Sequence, residues 1–199
     1  MGIMMVAVPL AVLLLLYAFS ARKMTRSYRI EDLPLVLRAV NLEQLEKLLD
    51  PAEEANLRKT MSHRAFRRTQ LSRLGFAMEQ AKRLAHNAAI LETWANQEFT
   101  KKLIFKSRSN FDSADHAVLR VIQNADEIRR QTLLMMSKIF VWRVMLTARI
   151  AFMPVPRLAD LRELLGYDLL ETYESLTSAA GQLGLVYGDR EYEQLLAAL

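Results

Sequence analysis

The sequence predicts an all-α protein. A single N-terminal transmembrane helix is followed by a long antiparallel helical hairpin of coiled-coil type. A shorter C-terminal helix packs on the hairpin, as in a three-helix bundle. Three observations predict this. Glycine and proline are scarce, six and five in 199 residues, which leaves few turns. Ala, Leu, Arg, Glu, Gln and Met, all good helix formers, dominate the rest. Beyond residue 113 apolar residues recur at alternating steps of three and four, the spacing of a coiled-coil seam, and nothing reads as a strand.

The anchor comes first in the chain. Ile3 to Phe19 is an unbroken apolar run followed by Arg22, Lys23, Arg26 and Arg29, with no charged side chain before it. A hydrocarbon core of about 30 Å needs roughly 20 apolar helical residues, so residues 1–21 suffice. Pro9 lies in the first two turns, where a membrane helix tolerates it, and Tyr17 and Phe19 fall at the headgroup layer. Basic residues collect on the cytoplasmic side. The four cations therefore predict a single-pass protein with its N-terminus outside, its C-terminal domain in the cytoplasm, and membrane lipid as a partner. A cleaved signal peptide fits less well, because the run is long and no cation precedes it.

Residues 22–50 read as a basic juxtamembrane segment with two short helices. Asp32-Leu33-Pro34 opens one; Asn41 opens the other, which runs to Leu49. Asp50-Pro51-Ala52-Glu53 is a strong start signal: an N-cap aspartate, proline in the first turn, and glutamate at the third position. No proline follows before Pro154, and Gly75 costs a helix only about 1 kcal/mol, so one helix is predicted over 51–105. Lys106–Ser113, with three serines, an asparagine and an aspartate, is the break. A second helix is predicted over 113–153, closed by Pro154 and Pro156. Its seam is Val118, Val121, Ala125, Ile128, Thr132, Met135, Ile139, Trp142 and Leu146. Asp168-Leu169-Leu170-Glu171 starts a third helix over 168–187, with a stripe of Leu169, Tyr173, Leu176, Ala180 and Leu183. A last short helix is predicted over 190–199. Residues 51–199 thus form the bundle domain.

A short loop forces the two long helices antiparallel. A turn near residue 110 pairs Leu91 with Ile128, Leu84 with Met135, Ala81 with Ile139 and Ala77 with Trp142, small opposite large. It also brings Glu92 to Arg129 and Glu98 to Arg120. The third helix, about 20 residues long, is expected to cover 60–80 and 135–153, where Ile139–Phe152 is apolar nearly all round. The other end, about 90–125, then projects as a bare two-helix arm.

Charge is unevenly spread. Residues 1–29 hold four of the cations and no acid, while residues 30–199 hold 23 cations and 22 acids, so most of the net +5 reflects topology. Residues 51–108 carry net +7 and residues 156–199 carry net −5. The stretch Arg58, Lys59, Arg64, Arg67, Arg68 and Arg73 contains no acid. It is an anion-binding face, or it is neutralised by the acidic C-terminal helix lying on it; the second reading is preferred, which disfavours nucleic acid as a partner.

Catalytic chemistry finds little support. The histidines, His63, His86 and His116, have no metal-ligand spacing, cysteine is absent, and no phosphate loop or nucleophile elbow occurs. No catalytic, cofactor-binding or metal residue is assigned and no cofactor is expected. Leu133–Met153 fails as a second span because Arg143 sits at its centre. The function expected is a non-enzymatic, membrane-anchored helical scaffold, adaptor or assembly subunit with a protein partner or a second copy. The partner-binding tip is Phe99, Lys101, Lys102, Phe105, Lys106, Arg108 and Phe111, three aromatics among four cations. The competing function is a membrane-tethered nucleic-acid- or phosphate-binding module using the basic 58–73 face.

Overall fold

A computed structural model of the chain describes residues 28–29, 32–105, 113–148, 155–158, 160–161 and 168–187. Among these it is all-α, with no strand. The helices are α1 (Leu33–Val36), α2 (Leu42–Leu49), α3 (Pro51–Thr60), α4 (His63–Phe105), α5 (Ser113–Thr147) and α6 (Asp168–Tyr187). No helix of the described residues is long and apolar enough to cross a membrane. The anchor expected at 1–21 and the short helix expected at 190–199 lie outside the described residues.

Local signals set most boundaries. The Asn41 side chain caps α2 by accepting from the Gln44 N–H at 2.8 Å. Asp50 both ends α2 and caps α3, accepting from the Ala52 N–H at 2.9 Å with Pro51 next in line. Asp32 precedes α1 without a capping bond; its carboxylate instead accepts from the Arg29 N–H at 3.4 Å.

The single helix expected over 51–105 is broken. Met61 is extended (φ −104°, ψ 148°), so α3 ends at Thr60 and α4 restarts at His63. Ser62 supplies the new cap, its hydroxyl accepting from the Ala65 N–H at 3.4 Å. The break folds α3 back, so that Glu54 reaches Gln70. A straight helix would hold those side chains more than four turns apart.

The chain divides into two compact units. Of the described residues, the first unit comprises 41–82, 131–148 and 155–161; the second comprises 28–40, 83–130 and 168–187. In the first, Leu45, Leu49, Phe66, Leu74, Met135, Ile139, Leu158 and Leu161 are buried. In the second, Leu33, Leu91, Trp94, Val121, Ile128, Leu169, Tyr173 and Leu176 are buried. All nine predicted seam residues of α5 are buried, as are Ala77, Ala81, Leu84 and Leu91 of α4. The Arg129 guanidinium pairs with Glu92 as the hairpin register requires. Glu98 pairs instead with Lys101 on its own helix, at 2.6 Å.

The placement of the third helix is corrected. α6 belongs with 83–130, not with 60–80 and 135–153. Asn87 donates to the Tyr173 hydroxyl at 3.2 Å and Asn124 to Ser175 at 2.9 Å. Within the described part of the region expected to be a bare arm, α6 contacts Asn124 and Tyr28 contacts Gln97. Val155, Leu158 and Leu161 are buried in the first unit, and the Pro156 and Asp160 carbonyls accept from Gln70 and Lys138. Residues 155–158 are irregular, and 160–161 are helical.

Candidate functional site

Long helix α4 carries a second heptad seam that includes polar residues. Phe66, Gln70, Arg73, Ala77, Gln80, Leu84, Asn87, Leu91 and Trp94 follow steps of four and three, and every one is buried. Each polar member meets the chain N-terminal to it. In the first unit, Gln80 accepts from the Asn41 N–H at 3.0 Å, Arg73 donates to the Leu48 carbonyl at 2.6 Å, and Gln70 donates to Glu54 at 2.6 Å. In the second, Asn87 exchanges two bonds with the Arg38 backbone, each 2.8 Å. Flanking rungs extend this second set: Gln97 accepts from the Tyr28 N–H at 3.2 Å, Arg83 donates to the Ala39 carbonyl at 3.0 Å, and His86 bonds the Val36 carbonyl at 3.1 Å. In both sets later residues of α4 meet earlier residues of the segment, so the segment runs antiparallel to α4. An irregular backbone needs donors and acceptors that helices supply only through side chains, which is why polar groups sit in this seam.

Two titrations follow from these contacts. Burial lowers the His86 pKa; the bond to Val36 opposes that and the Arg38 charge adds to it. Burial raises the Tyr173 pKa against the opposing Asn87 bond. Both groups are held neutral near pH 7 and act as hydrogen-bonding struts.

The basic run divides into spent and exposed cations. Arg67 donates through Nε and a terminal nitrogen to the Leu146 carbonyl at the end of α5. Arg73 is buried and caps Leu48, with its Nη1 lacking a hydrogen-bond partner. Arg58, Lys59, Arg64 and Arg68 are exposed, and among the described residues no carboxylate lies within 4.0 Å of them. The described hydrogen bonds of α6 to other helices go to Asn87 and Asn124, and the acids expected to neutralise the run lie in part outside the described residues.

The predicted tip is described only in part. Phe99 is half-buried, and Lys101 is exposed and paired with Glu98. Lys102 and Phe105 lie in the last turn of α4, while Lys106, Arg108 and Phe111, like the membrane-proximal Arg22, Lys23 and Arg26, lie outside the described residues. His63 and His116 are exposed and apart from His86 in the chain, and the described residues contain no group of three or more His, Cys, Asp or Glu able to hold a metal.

One surface feature is absent from the sequence expectations. Leu134, Phe140, Val141 and Val144 of α5 are exposed, Val144 to 50%. The third helix, expected to cover this region, groups with 83–130. The signal for most of it is the nearly all-round apolar character of 139–152, which suggests core, although Phe140, Val141 and Val144 are exposed.

No protein-family model, no curated protein and no solved structure matches the chain.

Proposed function

We propose that this chain is a non-enzymatic, single-span membrane protein whose helical domain serves as a scaffold, adaptor or assembly subunit. The observation that carries the reading is the use made of polar side chains. Gln70, Arg73, Gln80 and Asn87 are buried, and each makes a hydrogen bond to residues 38–54. Chemistry at a site needs polar groups that converge on open space; these converge on backbone and on a neighbouring side chain. The segment so clamped follows the apolar run and its cations in the chain, so it is the part of the bundle nearest in sequence to an anchor at 1–21. In this reading the N-terminus lies outside and the bundle in the cytoplasm. The tip, from Phe99 to Phe111, takes a protein partner or a second copy.

The test is purification of the full chain in mild detergent beside a Phe105→Ala, Phe111→Ala variant. The wild type should elute with a stoichiometric partner or as an oligomer, and the variant should lose it while keeping its helicity. A bare monomer in both preparations would sink the scaffold reading.

A second reading has one observation in its favour. Arg58, Lys59, Arg64 and Arg68 are exposed and unpaired with carboxylates among the described residues, which suits an anion-binding module. Binding of single- or double-stranded oligonucleotides that weakens with salt, and is lost on Arg64→Gln with Arg68→Gln, would favour it.

A further inference from the structure

We propose that the outer face of α5 in the first unit docks on an anionic membrane surface. The inference deepens the reading of a membrane-anchored protein and rests on it.

The face is defined by helical geometry. Met135, Ile139, Trp142 and Leu146 are buried on one side of α5. Leu134, Val141 and Val144, with Ser137 between them, recur at steps of three and four on the opposite side, and Phe140 adjoins them. Four large apolar side chains are exposed there, and they run for about 15 Å at 1.5 Å per residue. A contiguous exposed apolar stripe of this kind marks a contact surface.

Charge decides what it contacts. Residues 131–159 contain four Lys or Arg and no Asp or Glu. Arg143 is exposed beside the stripe. The bond from Arg67 to the Leu146 carbonyl sets the first turns of α4 against the last turn of α5. That brings the stretch holding exposed Arg64 and Arg68 beside the end of the stripe where Val144 lies. Residues 55–78 also contain no acid, and six Lys or Arg. A second copy of the same face would set like charges against each other, at a cost. Lipid headgroups of negative charge accept both components: the apolar stripe enters the headgroup boundary and the arginines meet phosphate. The anchor would hold the domain close enough for this weak contact to form.

The chain has no cysteine, so single labels can be placed. Full-length protein carrying Val144→Cys, and separately the exposed control Glu46→Cys, is labelled with a polarity-sensitive fluorophore. Each is reconstituted in vesicles of phosphatidylcholine alone or with added phosphatidylglycerol. At position 144 we expect strong quenching by doxyl-labelled lipid and shielding from iodide when phosphatidylglycerol is present. The doxyl quenching should fall several-fold in neutral vesicles, and also on Arg64→Gln, Arg68→Gln and Arg143→Gln together. The label at 46 should stay open to iodide throughout. A label at 144 that meets iodide in both vesicles overturns the proposal. So does one shielded from both quenchers, which would mean that protein covers the stripe. Alkaline extraction separates this from the anchor. A chain that resists extraction while its label meets iodide loses only the docking face. An extractable chain whose label was doxyl-quenched beforehand loses only the anchor.

Discussion

Asn87 holds both polar groups of one peptide residue, Arg38: its Oδ1 accepts from the Arg38 N–H and its Nδ2 donates to the Arg38 carbonyl, each at 2.8 Å. The amide thereby replaces a strand partner for a segment that has none. Its Nδ2 also donates to the Tyr173 hydroxyl at 3.2 Å, so one side chain joins residues 28–40, α4 and α6. Asn87→Ala leaves both Arg38 groups and the Tyr173 hydroxyl without this partner, and should cost about 2–3 kcal/mol. Asn87→Asp keeps the acceptor, loses both donors and buries a charge, so it should cost more at neutral pH. Denaturant unfolding of the two variants checks the order; an Ala variant as stable as the wild type would mean that water replaces the amide.

Much of the fold is legible because it rests on local signals. Asn41 and Asp50 are caps written in the sequence, and both cap. The apolar seam of α5 is an uninterrupted three-four pattern, and all of it is buried. The seam of α4 is harder to read because Gln70, Arg73, Gln80 and Asn87 occupy core positions, and polar residues score as surface. Their spacing is the informative signal. Arg73, Gln80 and Asn87 stand seven apart, in phase with Ala77 and Leu84. Polar groups in heptad phase imply something polar to meet, here the backbone of residues 38–48. The break at Met61 carries no proline or glycine, and only tertiary contact between Glu54 and Gln70 reveals it. The grouping of α6 with 83–130 has no local signal in the sequence.

Two neighbouring positions on α4 should respond with opposite sign. Ala77 is fully buried on the seam, in the unit that also buries Trp142. Ala77→Leu enlarges a side chain in a filled layer and should cost about 1–3 kcal/mol. A Cβ added at Gly75 would meet nothing within 4 Å, so Gly75→Ala should stabilise by about 0.5–1 kcal/mol through helix propensity alone. Thermal melts of both variants read the signs directly. A neutral Ala77→Leu would show that the layer has room.

His86 should make stability pH-dependent. Its pKa is lowered by burial first, with the Val36 bond opposing and Arg38 adding to the effect. The unfolded chain therefore takes up the proton at a higher pH than the folded one. The contribution is fully present above the ordinary histidine value of about 6.5 and is lost as pH falls through the lowered folded value. His86→Gln retains a donor for the Val36 carbonyl and cannot titrate. The stability of wild type relative to this variant should decline from pH 8 to pH 5. A difference that stays flat or rises would assign the acid sensitivity elsewhere.

A carboxyl group introduced beside Glu54 should give the opposite dependence. Gln70 is fully buried and donates to the Glu54 carboxylate at 2.6 Å and to the Pro156 carbonyl at 3.3 Å. Gln70→Glu replaces the donor amide by a second carboxyl group at hydrogen-bond distance from the first. Two such groups cannot both ionise in a buried site, so one keeps its proton and the folded pair titrates above the ordinary glutamate value of about 4.3. A raised folded pKa means that stability is retained below the unfolded value and is lost as pH rises through the folded one. The variant should therefore approach the wild type near pH 4 and fall behind it by about 3–5 kcal/mol at pH 8. Gln70→Met removes the donor without adding a titrating group and separates the two effects. Its deficit should vary less with pH than that of Gln70→Glu. Parallel pH profiles for the two variants would show that Glu54 does not face residue 70, and that the fold-back of α3 onto α4 is held by other contacts.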